Sequence, residues 1–249
     1  MAKVLSVNYD HIELTEEETA AAIHDAKSKK AARLKEIEYA KKISAPKVYP
    51  KFDYETLKSY VLKKHPGYIV DDSNREIFET LCLYFSNDPA FEMQGEGFSI
   101  NKGVMLYGPV GCGKTSLMKM FAINSFRPFA IASCRSVADS YAVEGSPALY
   151  RYSGLQPVFP EQNFGIPEIG RCFDDLGTED DKKNFGNQVN VMQDILFKVY
   201  DAGLMGNFHM TTNIIGQQIE EQYGARIRSR MREMFNVLIF DDSAPDRRK

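Results

Sequence analysis

The sequence lacks the marks of a metal protein, a disulfide scaffold or a membrane protein. Its four histidines, His11, His24, His65 and His209, show no ligand spacing, which argues against a metal site built from protein ligands alone. Its four cysteines, Cys82, Cys112, Cys134 and Cys172, include no C-x-x-C pair. A chain of 249 residues with 43% hydrophobic content can bury a core without staples, so the cysteines read as reduced thiols of an intracellular protein. No apolar run approaches the ~18 residues of a membrane-spanning helix. The opening "MAKVLSVNYD" leads into no apolar signal core. A soluble, cytoplasmic protein with no membrane partner is expected. The formal net charge of −3 marks no general polyanion binder, so any nucleic-acid contact must come from a local patch.

Residues 14–43 contain no Gly or Pro and are rich in Ala, Glu and Lys. Thr15 and Glu18 have the spacing of a capping box, and acids crowd the start of the segment while bases crowd its end, which suits a helix dipole. The apolar stripe is thin, with Ile23, Leu34, Ile37 and Ala40, so this helix can bury little against its own domain. It is either an exposed, charge-laced helix or an arm that docks a partner. "SAPKVYPKF" follows as a linker, with Pro46 and Pro50 as breakers. Two regions are therefore expected: a helical extension with its linker over 1–50, and a globular domain over 51–249.

Within the globular region, 53–64 and 72–86 have helical patterns. Short β-like runs lie at 103–107, 128–132, up to 171–173, 208–212 and 236–240. The acid-bearing run is a poor strand because Arg171 interrupts it. Helical patterns separate the runs; one carries Met192, Ile195, Leu196 and Val199 on a single face and closes at Gly203. This alternation predicts an α/β fold, a parallel five-stranded sheet flanked by helices.

"LYGPVGCGKTS" supplies the strongest local signal. Gly108, Gly113, Lys114 and Thr115 form G-x-x-x-x-G-K-T after a predicted strand and at the start of a predicted helix, the context a phosphate-binding loop requires. Its glycines allow a tight turn whose N–H groups point at an anion, and the helix adds its positive end. Lys114 would reach the β- and γ-phosphates, and the Thr115 hydroxyl would hold Mg²⁺. The candidate nucleotide loop comprises Gly108, Pro109, Val110, Gly111, Cys112, Gly113, Lys114, Thr115 and Ser116. Cys112 reads as filler at a permissive position, not as a redox centre.

"RCFDDLGTEDD" places Asp174 and Asp175 at the end of a strand. Asp174 is expected to order the Mg²⁺ shell, and Asp175 or its rival Glu179 to polarise an attacking water. "HMTTNI" ends a neighbouring strand in Asn213, placed to hold the water or the γ-phosphate at the carboxyl edge of the sheet. "YGARIRSRMRE" carries Arg226, Arg228, Arg230 and Arg232 at alternate positions. On a helix Arg226 and Arg230 would face one way and Arg228 and Arg232 the other. The first pair is placed to reach a phosphate in a neighbouring subunit.

In their order and spacing, these pieces resemble the AAA+ ATPases of the ASCE type of P-loop NTPase. "FDDLGTE", "HMTTNI" and "YGARIRSRMREM" are similar to the DnaC-like replicative helicase loaders and the related IstB-type transposition helpers, over about residues 68–249. The resemblance implies an ATPase that turns ATP into ADP with Mg²⁺ and works as a ring or spiral of copies. It also implies contact with single-stranded DNA, and an N-terminal arm that docks on the replicative helicase. It makes Lys114, Thr115 and Asp174 the Walker positions, Asn213 sensor 1 and Arg230 the arginine finger, with Arg226 as second choice. Two departures stand out. No helical lid domain is expected after the last strand, so sensor 2 is absent or replaced by something like Arg247 of "DRRK". Residues 1–50 carry none of the zinc-ligand cysteines some loaders use. The run 141–164, rich in Tyr, Phe and Gly with Arg151, offers stacking surface to single-stranded DNA or is an ordinary surface loop. The loop "LYGPVGCGKTSLMKMF" is similar, too, to that of a membrane- or protein-remodelling ATPase family. Two other functional classes stay open, a P-loop small-molecule kinase and a non-hydrolysing, nucleotide-stabilised scaffold.

Overall fold

The computed structural model describes residues 12–44, 47–180, 182–184, 187–214 and 216–248. The chain divides into two units, Met1–Val48 and Tyr49–Lys249. In the first, helix α1 (Glu16–Ser44) runs 29 residues, roughly 43 Å at 1.5 Å per residue. Its capping box forms as expected: Glu18 N–H donates to Thr15 Oγ1 (3.2 Å) and Thr15 N–H to Glu18 Oε2 (2.9 Å). Every described side chain of the helix, including Ile23, Leu34 and Ile37, is exposed. Ala40 of the stripe lies outside the described side chains.

The second unit opens with α2 (Tyr54–Lys64) and α3 (Arg75–Phe85). The α3 helix starts later than its pattern predicts because Asp71–Asn74 forms its own turn. Asp71 N–H donates to Asn74 Oδ1, and Ser73 N–H to Asp71 Oδ1; such side-chain bonds compete with helix at its entry. Then come β1 (Gly103–Tyr107), α4 (Lys114–Phe121), β2 (Phe129–Ser133), α5 (Cys134–Glu144) and α6 (Ser146–Ser153). They lead to β3 (Gln156–Pro157), β4 (Glu168–Leu176) and a small antiparallel pair, β5 (Lys182–Asn184) with β6 (Asn187–Val189). The unit continues through α7 (Val191–Asp201), β7 (Phe208–Thr212), α8 (Gly216–Met234) and β8 (Phe235–Ile239).

Five parallel strands lie in the order β2-β4-β7-β1-β8, and β3 adds a short antiparallel pairing to β4. This is the expected α/β architecture, a parallel five-stranded sheet flanked by helices. Period-two alternation builds a core on each face. On one face Met105 of β1, Phe173 of β4, and Phe208 and Met210 of β7 pack with α5–α8. On the other, Val104 and Leu106 of β1, Cys172 of β4 and Leu238 of β8 pack with α2–α4. Strands β1 and β4 crowd the start of β7 from both sides. A Cβ on Gly103 would sit 1.8 Å from Phe208 O, and one on Gly170 1.7 Å from Asn207 O, so only glycine fits at either place.

The acid-bearing strand corrects the expectation of a poor one. β4 is nine residues long and Arg171 lies buried within it. Its guanidinium spans Gln156 Oε1 (3.1 Å) and Arg151 O (3.0 Å) and stacks on the Tyr152 ring at 5.0 Å. Those acceptors and the aromatic face let a long polar side chain leave the strand without breaking it.

Candidate functional site

The carboxyl ends of β1, β4 and β7 open on one cavity of about 310 Å³. It is lined by Val110, Gly111, Gly113, Lys114, Thr115, Ser116, Asp175, Thr178, Asn213, Arg247 and Arg248. The glycine loop follows β1 directly. Gly111 (φ 86°) and Gly113 (φ 103°) take left-handed conformations, and Gly113 caps α4, so the first amides of that helix face the cavity. Cys112 is buried, and desolvation pushes its thiol up despite the nearby Lys114. That agrees with a packing role in the loop.

Lys114 is buried, and its Nζ donates to the carbonyls of Gly108 (2.8 Å) and Pro109 (2.9 Å) and, at 3.9 Å, to the Cys112 sulfur. An ammonium out of water with neutral acceptors leaves its charge to be balanced by an anion. Thr115 Oγ1 donates to Asp174 Oδ1 at 2.8 Å, setting a hydroxyl and a carboxylate side by side. That pair of hard oxygen donors suits Mg²⁺. Among the described residues no group of three or more His, Cys, Asp or Glu could hold a metal. A divalent ion here would therefore draw its remaining ligands from a phosphate and water.

A break in the ladder aims the acids. The register between β4 and β7 shifts between Phe173 and Leu176, and Asp175 takes φ 58°. The two carboxylates then diverge: Asp174 is buried against Thr115, and Asp175 enters the cavity. Thr211 supports both, donating from Oγ1 to Asp174 Oδ1 (2.6 Å) and accepting the Asp175 N–H (2.9 Å). Burial first, and the adjacent Asp174 charge second, hold the Asp175 carboxyl above its usual range; Lys114 and Arg248 oppose the shift.

Glu179 is placed differently. It does not line the cavity; its carboxylate is buried, accepting from the Tyr223 hydroxyl and from Gly177 N–H (3.0 Å). Burial raises its carboxyl above the ordinary range. Of the two rivals, Asp175 is thus the acid that faces the cavity. Asn213 is exposed on the cavity wall.

The arginines lie on α8, which breaks at Gly224 (φ 85°, ψ 156°). The N-cap and first turn of α7 satisfy the carbonyls at the break: Asn190 donates to Gln222 O (3.0 Å) and Gln193 to Tyr223 O (2.7 Å). Beyond it, Arg228 and Arg232 line an apolar groove beside β8, with Arg228 paired to Glu220. Arg226 is exposed and makes no ion pair among the described residues. Arg230 pairs with Asp201 (3.2 Å) and covers the Phe197 and Tyr200 rings at 4.8 and 4.4 Å. Neither lines its own protomer's cavity. Sequence reasoning missed Thr211, Tyr223 and Asp71. Thr211 was the readable one, since strand alternation puts it beside Asp174.

No curated protein matches the sequence. Among solved structures the chain is similar to AMPPCP-bound DnaA from Aquifex aeolicus, at 15% identity and TM-score 0.46, over 79% of this chain and 52% of that one. It is also similar to a DNA replication initiation factor (15% identity, TM-score 0.48, 79% and 51%). A third is the replication initiator DnaA bound to AMPPCP and single-stranded DNA (16%, 0.45, 79% and 51%). The chain spans about half the length of these structures. Residues 104–153, from β1 through α6, match the ATPase family associated with various cellular activities, AAA.

Proposed function

We propose that this chain binds and hydrolyses ATP with Mg²⁺, and acts as an oligomeric DNA-replication switch of the DnaC-like helicase-loader kind. One observation carries the ATP reading. A buried, carboxylate-free Lys114, the Thr115–Asp174 pair, Asp175 and Asn213 converge on the mouth of the glycine loop. Lys114 and the loop amides would hold the phosphates, and Thr115 and Asp174 the metal shell. Asp175 would orient water, with Asn213 opposite it. The metal supplies charge neutralisation on the phosphates when bound. Lys114→Ala tests this directly: ATP binding and turnover should both be lost, and wild-type levels of both would refute the site.

The loader reading rests on motif order and on the exposed arm. α1 buries none of its described apolar side chains, so a partner is free to take its stripe. Single-stranded DNA would meet the exposed Tyr150 and the aromatic run around it. A pull-down with residues 1–50 present and deleted discriminates the partners. A replicative helicase lost on deletion supports the loader, whereas a transposase supports an IstB-like helper. The subunit junction is completed by Arg230, or by Arg226, from a neighbouring copy. A slow-turnover, nucleotide-stabilised state is favoured for the lone protomer, because Arg230 is held by Asp201 and Glu179 by Tyr223.

A further inference from the structure

Strand β8 closes the sheet on one side, paired among the described residues only with β1. Phe240 N–H donates to Tyr107 O at 2.8 Å. Along a parallel strand, successive residues turn their backbone groups to opposite edges. Asn236 and Leu238 therefore also turn to β1, whereas Val237 and Ile239 turn their N–H and C=O groups outward. The same two residues are exposed, Ile239 by 63%. They line the apolar groove of about 330 Å³ beside α8, together with Met105, Ile219 and Met231.

Nothing within β8 protects this edge. "FNVLIF" carries no charge and no proline, and its register with β1 is unbroken; charges, prolines and bulges are what keep further strands from an open edge. The charges lie just outside. Arg232 stands five positions before Val237, and Asp242 five positions after it. Both are exposed, and neither makes an ion pair among the described residues. Arg232 also lines the groove.

Such an edge is complementary to itself. Antiparallel pairing of two copies about Val237 sets outward N–H groups against outward carbonyls, two residues apart along each strand. A two-fold axis through the sheet at Val237 opens both grooves on one face, so the Val237 and Ile239 side chains of the two copies cover each other. Arg232, before one β8, then meets Asp242, after the other, and does so twice. A strand from an unrelated protein would satisfy the backbone, but the acid and the base at mirrored distances select a second copy.

We propose that the β8 edge is an isologous interface through which two copies of this chain join their sheets, with Arg232 paired to Asp242 of the partner subunit. The interface uses neither the nucleotide cavity nor Arg230, so it stands apart from the ATP reading.

The test is sedimentation equilibrium of the full chain without nucleotide, which should show a monomer–dimer equilibrium. Val237→Pro removes an N–H that the β1 ladder does not use and should weaken dimerisation at least about ten-fold. Arg232→Glu and Asp242→Arg each set like charges at both ends of the interface and should each weaken it by about ten-fold. Mixing these two variants should yield heterodimers, because the mixed pair regains both contacts. The double variant Arg232→Glu/Asp242→Arg should dimerise like the wild type. Circular dichroism checks that each variant is folded; should Val237→Pro fail to fold, the charge exchange decides alone. A wild type that stays monomeric at its highest soluble concentration overturns the proposal. So does a dimer that the charge variants leave unchanged, or a mixture of the two that fails to associate. An assembly lost in Arg230→Ala yet kept in Val237→Pro belongs to another junction and also overturns it.

Discussion

Thr211→Val probes the geometry of the acid pair most directly. The side chain is fully buried, and valine keeps its shape while removing one oxygen. That oxygen serves two partners: it donates to Asp174 at 2.6 Å and accepts from Asp175 N–H at 2.9 Å. A bond to a charged group contributes about 1.5–3 kcal/mol, and a buried N–H left unpaired costs about 1–3 kcal/mol. Allowing for partial relaxation, the expected loss is about 3 kcal/mol, or roughly 6–12 °C in Tm for a unit of this size. Thr211→Ser keeps the oxygen and loses only a methyl, so it should cost about 1 kcal/mol. Urea denaturation followed by circular dichroism measures both. The same substitution frees Asp174 to turn from Thr115, so turnover should need more Mg²⁺ to reach half-maximum. A Thr211→Val protein with wild-type stability and an unchanged Mg²⁺ dependence would refute the claim that this hydroxyl holds the bulge.

Four further substitutions test other parts of the structure. His209 is fully buried, accepts the Val104 N–H on Nδ1 and has its pKa pulled down to about 3 by desolvation. The unfolded chain takes up a proton at an ordinary value near 6.5 and the folded one does not. Stability should therefore be complete above that value and fall by roughly 2 kcal/mol from about pH 7 to about pH 5; His209→Asn should flatten this slope in denaturant titrations. Gly103→Ala forces a methyl onto Phe208 O at 1.8 Å and should destabilise by about 3 kcal/mol, read as a lower urea midpoint with the same m-value. Arg230→Ala should abolish DNA- or partner-stimulated hydrolysis while leaving ATP affinity nearly intact, and Asp201→Asn, which frees the same guanidinium, should raise turnover in steady-state phosphate release; unchanged rates in both would remove Arg230 from the role.

What the sequence shows well is whatever a local pattern specifies. The glycine loop between β1 and α4 depends on residues adjacent in the chain, and G-x-x-x-x-G-K-T has few other uses. The α1 capping box and the five strands are similarly local; the strand boundaries moved by a residue at most except in β4, which runs on to Leu176. Pro128, with no N–H to give, leaves β2 to begin at Phe129. What escaped depends on partners far away in sequence. Arg171 looked like a break in β4 because Gln156, Tyr152 and the Arg151 carbonyl, which take it up, lie 15–20 positions upstream. Glu179 and Asp175 could not be ranked, since Tyr223, which occupies Glu179, stands 44 positions later. The fold of 241–248 over Gly111 has no periodic signal at all. It is set by long-range bonds of Arg247, to Asp71, Ser73 and the Gly111 carbonyl.

The break at Gly224 ties these observations together. Tyr223 sits on its near side and holds Glu179; Arg226 and Arg230 sit on its far side, the Arg230 side chain packed against Asp201, Phe197 and Tyr200 of α7. Asn190 and Gln193, at the start of α7, cap the carbonyls exposed by the break. A backbone kink whose orphan acceptors are met by another helix is fixed in direction, not loose. Any pull on Arg230 by a neighbouring subunit's phosphate must first separate it from Asp201 and two aromatic rings, and the strain would reach the kink and then Tyr223. Glu179 would lose a donor in that event, and its hold on the Gly177 N–H, two residues beyond Asp175, would loosen. The expected coupling runs along α8, from Arg230 through the kink at Gly224 to Tyr223 and Glu179. Tyr223→Phe isolates that link, because it removes the hydroxyl without touching the arginines. It should raise unstimulated turnover and shrink the further gain on oligomerisation, and an unaltered ratio of stimulated to basal rate would show that the two sides of Gly224 are not coupled.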